Sequence, residues 1–161
     1  MVNTVSEIII SQIADSDSYW VLIHDNDASV SSLSKTGNVK SFLLSKNVLE
    51  FKGIVNSMTF NKDVNQPIND IEIEGSVVMV TIGNFGLGYG WLNNQAGDAV
   101  MTNIGSVELK KIDAVKYNLL DSSIIQQVDI LSVSDNHYQV LVTSSSSIPM
   151  VLHLVNNNNV I

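Results

Sequence analysis

The sequence predicts an all-β protein, read as a single antiparallel β domain spanning residues 1–161. Three observations lead there. Short apolar runs rich in β-branched residues recur along the chain, often with period two. Clusters of Asn, Asp, Gly and Ser separate them. The composition holds 18 Asn and 21 Ser, residues that suit many tight turns and are sparse inside strands.

Taken in order, Glu7 to Ala14 is the first strand-like run. Tyr19 to Ile23 (Tyr-Trp-Val-Leu-Ile) is continuous enough for a strand covered on both faces. Val39 to Leu44, Ile54 to Phe60, Ile71 to Glu74 and Val77 to Ile82 follow. Ala99 to Thr102, Ile124 to Leu131, Tyr138 to Thr143 and Met150 to Val155 complete the set. Turn signals stand at Asp25-Asn26-Asp27, Thr36-Gly37-Asn38, Asn65-Gln66-Pro67, Gln95-Ala96-Gly97-Asp98 and Ser134-Asp135-Asn136. The stretch Val107 to Leu120 carries two signals. Leu109, Ile112, Val115 and Leu119 recur at helical spacing, whereas Val107, Leu109 and Tyr117 favour a strand, which is the reading adopted.

A repeat of about sixty residues runs through this pattern. Ser16-Asp17-Ser18-Tyr19-Trp20-Val21-Leu22-Ile23 matches Ser134-Asp135-Asn136-His137-Tyr138-Gln139-Val140-Leu141-Val142. Gly75-Ser76-Val77-Val78-Met79-Val80 gives a weaker middle copy. An apolar strand with Leu33, Leu92 or Leu152 follows each, and then a turn: Gly37 to Val39, Gly97 to Val100, Asn157 to Val160. Repeats near 6–60, 61–113 and 114–161 resemble successive blades of a β-propeller. Three blades are too few to close a ring of four to eight, so that reading implies assembly with further copies. A β-sandwich or jelly roll has the same hairpin texture and stands beside it.

Charge and composition exclude several function classes. The chain has 16 acidic residues, 8 lysines and no arginine, for a net charge of −8. Arginine forks and basic patches are the usual means of holding phosphate and nucleic acid, so neither nucleic acid nor an anionic membrane is an expected partner. With no cysteine, disulfides, thiolate catalysis and cysteine-based metal sites are excluded. The N-terminal run lacks the basic flank of a signal peptide, and apolar runs such as Val77 to Val80 are far too short for a bilayer span. Localisation is otherwise unread. Hydrophobic residues make up 45% of the chain, leaving apolar surface beyond a core and favouring self-association or a larger assembly.

Candidate chemistry is thin. The segment Gly83-Asn84-Phe85-Gly86-Leu87-Gly88-Tyr89-Gly90-Trp91 follows a strong strand but lacks the spacing and lysine of a phosphate loop. It is read as a flexible loop bearing Tyr89 and Trp91 on one side, which with Trp20 are the candidate ligand-binding rings for stacking on a glycan or anchoring a partner. The competing reading places these rings in the core. Asp15, Asp17, Asp25 and Asp27 have turn-capping geometry rather than that of a calcium loop. His24, His137 and His153 fall in no zinc signature, and no serine stands in a nucleophile elbow. The expectation is a non-enzymatic structural or assembly protein without cofactor or metal, most concretely a virion component such as a phage tail, fibre or capsid accessory protein. A carbohydrate- or ligand-binding β-module is the alternative.

Overall fold

The computed structural model describes residues 5–25, 38–93, 101–111, 116–134 and 137–155, and shows an all-β protein. Its strands form three antiparallel sheets in which every strand pairs with the next in the chain. Sheet one holds β1 (Val5–Gln12), β2 (Tyr19–Asp25), β3 (Asn38–Ser45) and β4 (Val48–Val55). Sheet two holds β5 (Ile68–Glu74), β6 (Val77–Ile82), β7 (Gly86–Leu92) and β8 (Met101–Glu108). Sheet three holds β9 (Ile125–Ser134), β10 (His137–Ser144) and β11 (Met150–Val155). The three copies of the sequence repeat fall on β2, β6 and β10, the second strand of each sheet.

Sheet two lies between the other two, and its alternating side chains feed two separate cores. Val78, Val80 and Ile82 face sheet one with Ile71 and Ile73, and meet Trp20, Leu22, Val39 and Val55 there. Val77 and Met79 face the other way with Leu87 and Tyr89, against Val128, Tyr138, Val140, Val142, Met150 and Leu152 of sheet three. All six residues of β6 are buried, which explains why all but Thr81 are apolar and its sequence does not alternate. Sheet three has one covered face: β11 alternates between buried and exposed, and β10 between buried and exposed or half-buried.

Polar bonds fasten each sheet to the next. The Trp20 indole Nε1 donates to Ser76 Oγ at 3.3 Å, and His24 Nε2 lies 3.1 Å from the Ile68 carbonyl, joining sheets one and two. Val128 N–H donates to Asp70 Oδ2 at 2.8 Å, and Asn69 Nδ2 donates to the Ile125 carbonyl at 2.8 Å, joining sheets two and three.

Four sequence expectations change. Ile54 to Phe60 is not a strand: β4 ends at Val55, and Asn56 caps a single helical turn, α1 (Ser57–Phe60). The Asn56 side chain accepts from Thr59 N–H while Thr59 Oγ1 accepts from Asn56 N–H, a reciprocal cap that redirects the chain. Residues 48–53, unassigned from sequence, belong to β4. The glycine-rich segment is not a flexible loop, because Gly86 to Leu92 is a strand paired on both sides by β6 and β8. Val107 to Leu120 is not one strand, and its Ile112 and Val115 lie outside the described residues. There β8 ends at Glu108, a 3₁₀ turn follows over Leu109–Lys111, and Leu109 and Leu119 both enter the second core. The expected turns at residues 26–27, 36–37, 95–98 and 135–136, with Leu33, Ala99, Val100 and residues 157–160, lie outside the described residues.

Glycine makes β7 possible. Gly86, Gly88 and Gly90 share the face towards sheet one, while Leu87, Tyr89 and Trp91 face sheet three. A Cβ on Gly88 would lie 2.6 Å from Phe60 Cγ. The missing side chain is the space into which α1 sets its phenyl ring.

Candidate functional site

The three rings singled out from the sequence do not meet on a common surface. Trp20 has no exposed area and belongs to the first core. Tyr89 is buried in the second, with its hydroxyl end against Gly105, where a Cβ would collide with it. Trp91 is partly covered. It stands edge-on to Tyr89, with ring centroids 6.4 Å apart, and to Tyr138, at 6.2 Å. Tyr89 and Trp91 do share a face, as their spacing implies, but that face is turned towards sheet three.

The histidines are equally dispersed. His24 is buried between sheets one and two beside the Ile68 carbonyl. His137 and His153 sit on the outer face of sheet three, on β10 and β11. Among the described residues no three His, Asp or Glu side chains are grouped to hold a metal ion. Asp15 and Asp17 belong to the turn after β1, on the rim of an open groove of about 840 Å³ that also reaches Ile13, Glu72 and Glu74.

Carboxylates gather where the first strands run side by side. Burial raises the Glu72 pKa above its ordinary value, and the charges of Asp129, Asp70, Glu7 and Glu74 raise it further. Burial also raises Glu7, with the adjoining Asp70 adding to the effect. Asp70 is raised by burial against the opposing N–H bonds from Val128 and Ile71; the charge of Asp129 adds to the rise and that of His24 opposes it. This edge is strongly negative and repels anionic ligands.

Among the described residues, the surface whose chemistry departs from that of an ordinary exterior is the outer face of sheet one. The strand register arranges its outward positions as three rows across four strands. The middle row is Ile10, Val21, Phe42 and Phe51. One flanking row is Ile8, Ile23, Lys40 and Ile54; the other is Gln12, Tyr19, Leu44 and Leu49. Nine of the twelve are aliphatic or phenyl side chains, and the only charge is on Lys40. Ile10 is 62% exposed, Ile8 58%, Phe51 54% and Ile54 53%, while Ile23, Phe42 and Leu44 are half-buried and Val21 is buried. The Phe42 and Phe51 rings pack edge to face at 5.4 Å, which holds a rigid aromatic pair in the row.

Sheet three shows what a solvent-facing surface of this protein looks like. Its outward positions include Gln127, Asp129 and Ser132 on β9, Gln139 on β10 and His153 on β11, with Leu141, Val151 and Val155 among them. The contrast between the two outer faces was only partly visible beforehand. Ile8-Ile9-Ile10 and Phe42-Leu43-Leu44 break the alternation expected of a half-covered sheet, and that break is the signal of a second apolar face. In β4 the register shift opposite Ser41 and Phe42 hid it, because the bulge changes which residues point outward.

Compared with protein-family models, curated proteins and solved structures, the chain matches none.

Proposed function

We propose that this is a non-enzymatic assembly protein that works by docking the outer face of sheet one against another protein surface. One observation carries the reading: a continuous array of nine apolar side chains, several more than half exposed, on a sheet whose inner face is already packed. Contiguous apolar patches of this kind mark interaction sites, since monomeric proteins seldom leave them in water. The centre is aliphatic and aromatic with polar groups at the margin, as at the core of a protein interface.

The concrete form of this role is a structural component of a virion. Its support is compositional: abundant Asn and Ser, lysine without arginine, and a high apolar fraction. The glycan-binding alternative is left with Trp91 as its one partly accessible ring, clamped between two tyrosines.

Gel filtration of the protein in its native extract tests the docking role. Wild type is expected in a species larger than the free chain. Phe51→Glu is expected to elute as the free chain, and Val151→Glu, on the outer face of sheet three, to behave as wild type. Elution of wild type as a free chain, or an assembly indifferent to Phe51→Glu, refutes the proposal. Cosedimentation with intact particles tests the virion form.

A further inference from the structure

We infer that the surface covering sheet one is the same face of a second copy, giving a two-fold symmetric dimer joined sheet to sheet. The inference rests on the docking role proposed above and names its partner.

Geometry and size come first. The sheet has four strands of seven or eight residues. At about 3.3 Å per residue and about 4.8 Å between strands, the face measures roughly 25 by 19 Å, or about 480 Å² in projection. Accessible area exceeds projected area on a surface studded with side chains. The figure it is measured against is the ~800 Å² per partner of a standard stable interface, or about 600 Å² at the lower end of that class. The protein already packs sheet face on sheet face twice, in its two cores, and a third such contact needs no new element.

Chemistry then separates the two ways copies could join. In a head-to-tail arrangement the outer face of sheet one would cover the outer face of sheet three. That would bury Gln127, Asp129, Gln139 and His153 against isoleucine and phenylalanine with nothing to hydrogen-bond them, a costly burial. It is also the arrangement by which three blade-like sheets would extend into a ring, so the polar face of sheet three argues against that closure. A contact of sheet one with itself buries like against like.

The middle row is suited to such a contact. A two-fold axis lying between the faces and along the strands superposes β1 on the other copy's β4, and β2 on its β3. Phe42 and Phe51 of each copy then meet Val21 and Ile10 of the other, large side chains over smaller ones in a row with no polar member. Charge permits the approach. Two copies each of net charge −8 repel, but the twelve facing positions contain no carboxylate, and the acidic groups described above lie along the first-strand edge. Because an isologous contact uses the whole patch on both copies, association stops at two.

Sedimentation velocity with light scattering on the purified full chain, across a wide concentration range, tests this. The expected result is a species of twice the chain mass that does not grow further. Phe51→Glu and Ile10→Glu should each weaken dimerisation by about thirtyfold or more, the level of an interface hot spot. Val151→Glu should leave it unchanged. Far-UV circular dichroism and Trp20 fluorescence report whether the variants keep the fold, and the uncharged, strand-compatible Phe51→Thr should also weaken the dimer if a glutamate disturbs the sheet. A dimer that survives the sheet-one substitutions overturns the inference, and so does open-ended growth with concentration. A wild-type monomer at every concentration overturns it too. If that monomer also binds an apolar dye through a face that Phe51→Glu removes, the docking role stands with a different partner.

Discussion

Replacing Gly88 by alanine isolates one contact on which the fold depends. Gly88 has an ordinary backbone conformation, without a positive φ, so the substitution adds no backbone strain. Its effect comes from a single methyl carbon. That carbon would lie 2.6 Å from Phe60 Cγ and 2.9 Å from Phe60 Cβ and Cδ1, where carbon contacts settle at about 3.5–4.0 Å. The ring, or the turn carrying it, must retreat by roughly 1 Å. Phe60 is 5% exposed, and its turn is held by the Asn56 cap and by the bond from Asn61 N–H to the Ser57 carbonyl. Overpacking of this kind costs about 1–3 kcal/mol. The reduced entropy of the unfolded chain returns about 0.4–1 kcal/mol. The expected net loss is therefore about 1–2 kcal/mol, read by urea unfolding from the change in midpoint at constant slope. A double-mutant cycle gives the sharper test. In a Phe60→Ala background, itself destabilised by about 3–5 kcal/mol, the methyl has nothing to strike, and Gly88→Ala should become neutral or stabilising. Equal costs in the two backgrounds would show that Phe60 does not occupy the space left by the glycine.

Two further substitutions probe buried polar groups. Thr81 is fully buried on β6, and its hydroxyl has no hydrogen-bond partner among the described residues, so Thr81→Val should stabilise the protein by about 1 kcal/mol. For a chain of this length that raises the melting temperature by roughly 2–4 °C in a thermal scan, and a drop would mean that the hydroxyl is bonded. Glu7, Asp70 and Glu72 all have raised pKa values in the fold. The folded state then holds their protons more tightly than the unfolded state does. The stability they contribute is complete below their ordinary values of 3.8 to 4.5 and is lost as pH rises through the raised folded values. Melting should accordingly occur at higher temperature at about pH 5 than at about pH 7.5. Glu72→Gln should reduce that difference, and an undiminished difference in the variant would remove Glu72 from the account.

Much of the strand order was legible because sheets two and three obey simple rules. β10 and β11 alternate, and β6 is apolar at every position but Thr81 because it is covered on both sides. The recurring motif fell on the second strand of each sheet because that strand has neighbours on both sides, which constrains its sequence most. What escaped depended on distant parts of the chain. Nothing local makes Gly86 to Leu92 a strand, since glycine disfavours strands; the reason is a phenyl ring twenty-eight positions earlier in the sequence. The stacking role suggested for Tyr89 and Trp20 rested on residue type, whereas accessibility is decided by which sheet covers which face. The face of sheet one lay between these cases. Its apolar runs were visible, but their three rows emerge only from the strand register.

Among the described residues, sheet two is the wall shared by the two cores, and no buried residue belongs to both. Cooperativity must therefore pass through the backbone of one four-stranded sheet. Opening between sheets two and three disrupts the packing of Met79, Leu87 and Tyr89 but leaves Trp20 and its neighbours assembled. Energetically the molecule resembles a short linear array, each layer stabilised by those it touches. Because each sheet is a local meander, its hairpins can form without long chain closures. Partial opening then becomes a property of a particular layer rather than of the chain as a whole. Sheets one and three are each fastened to sheet two alone and can open singly, whereas sheet two can be lost only when both of its neighbours have been released.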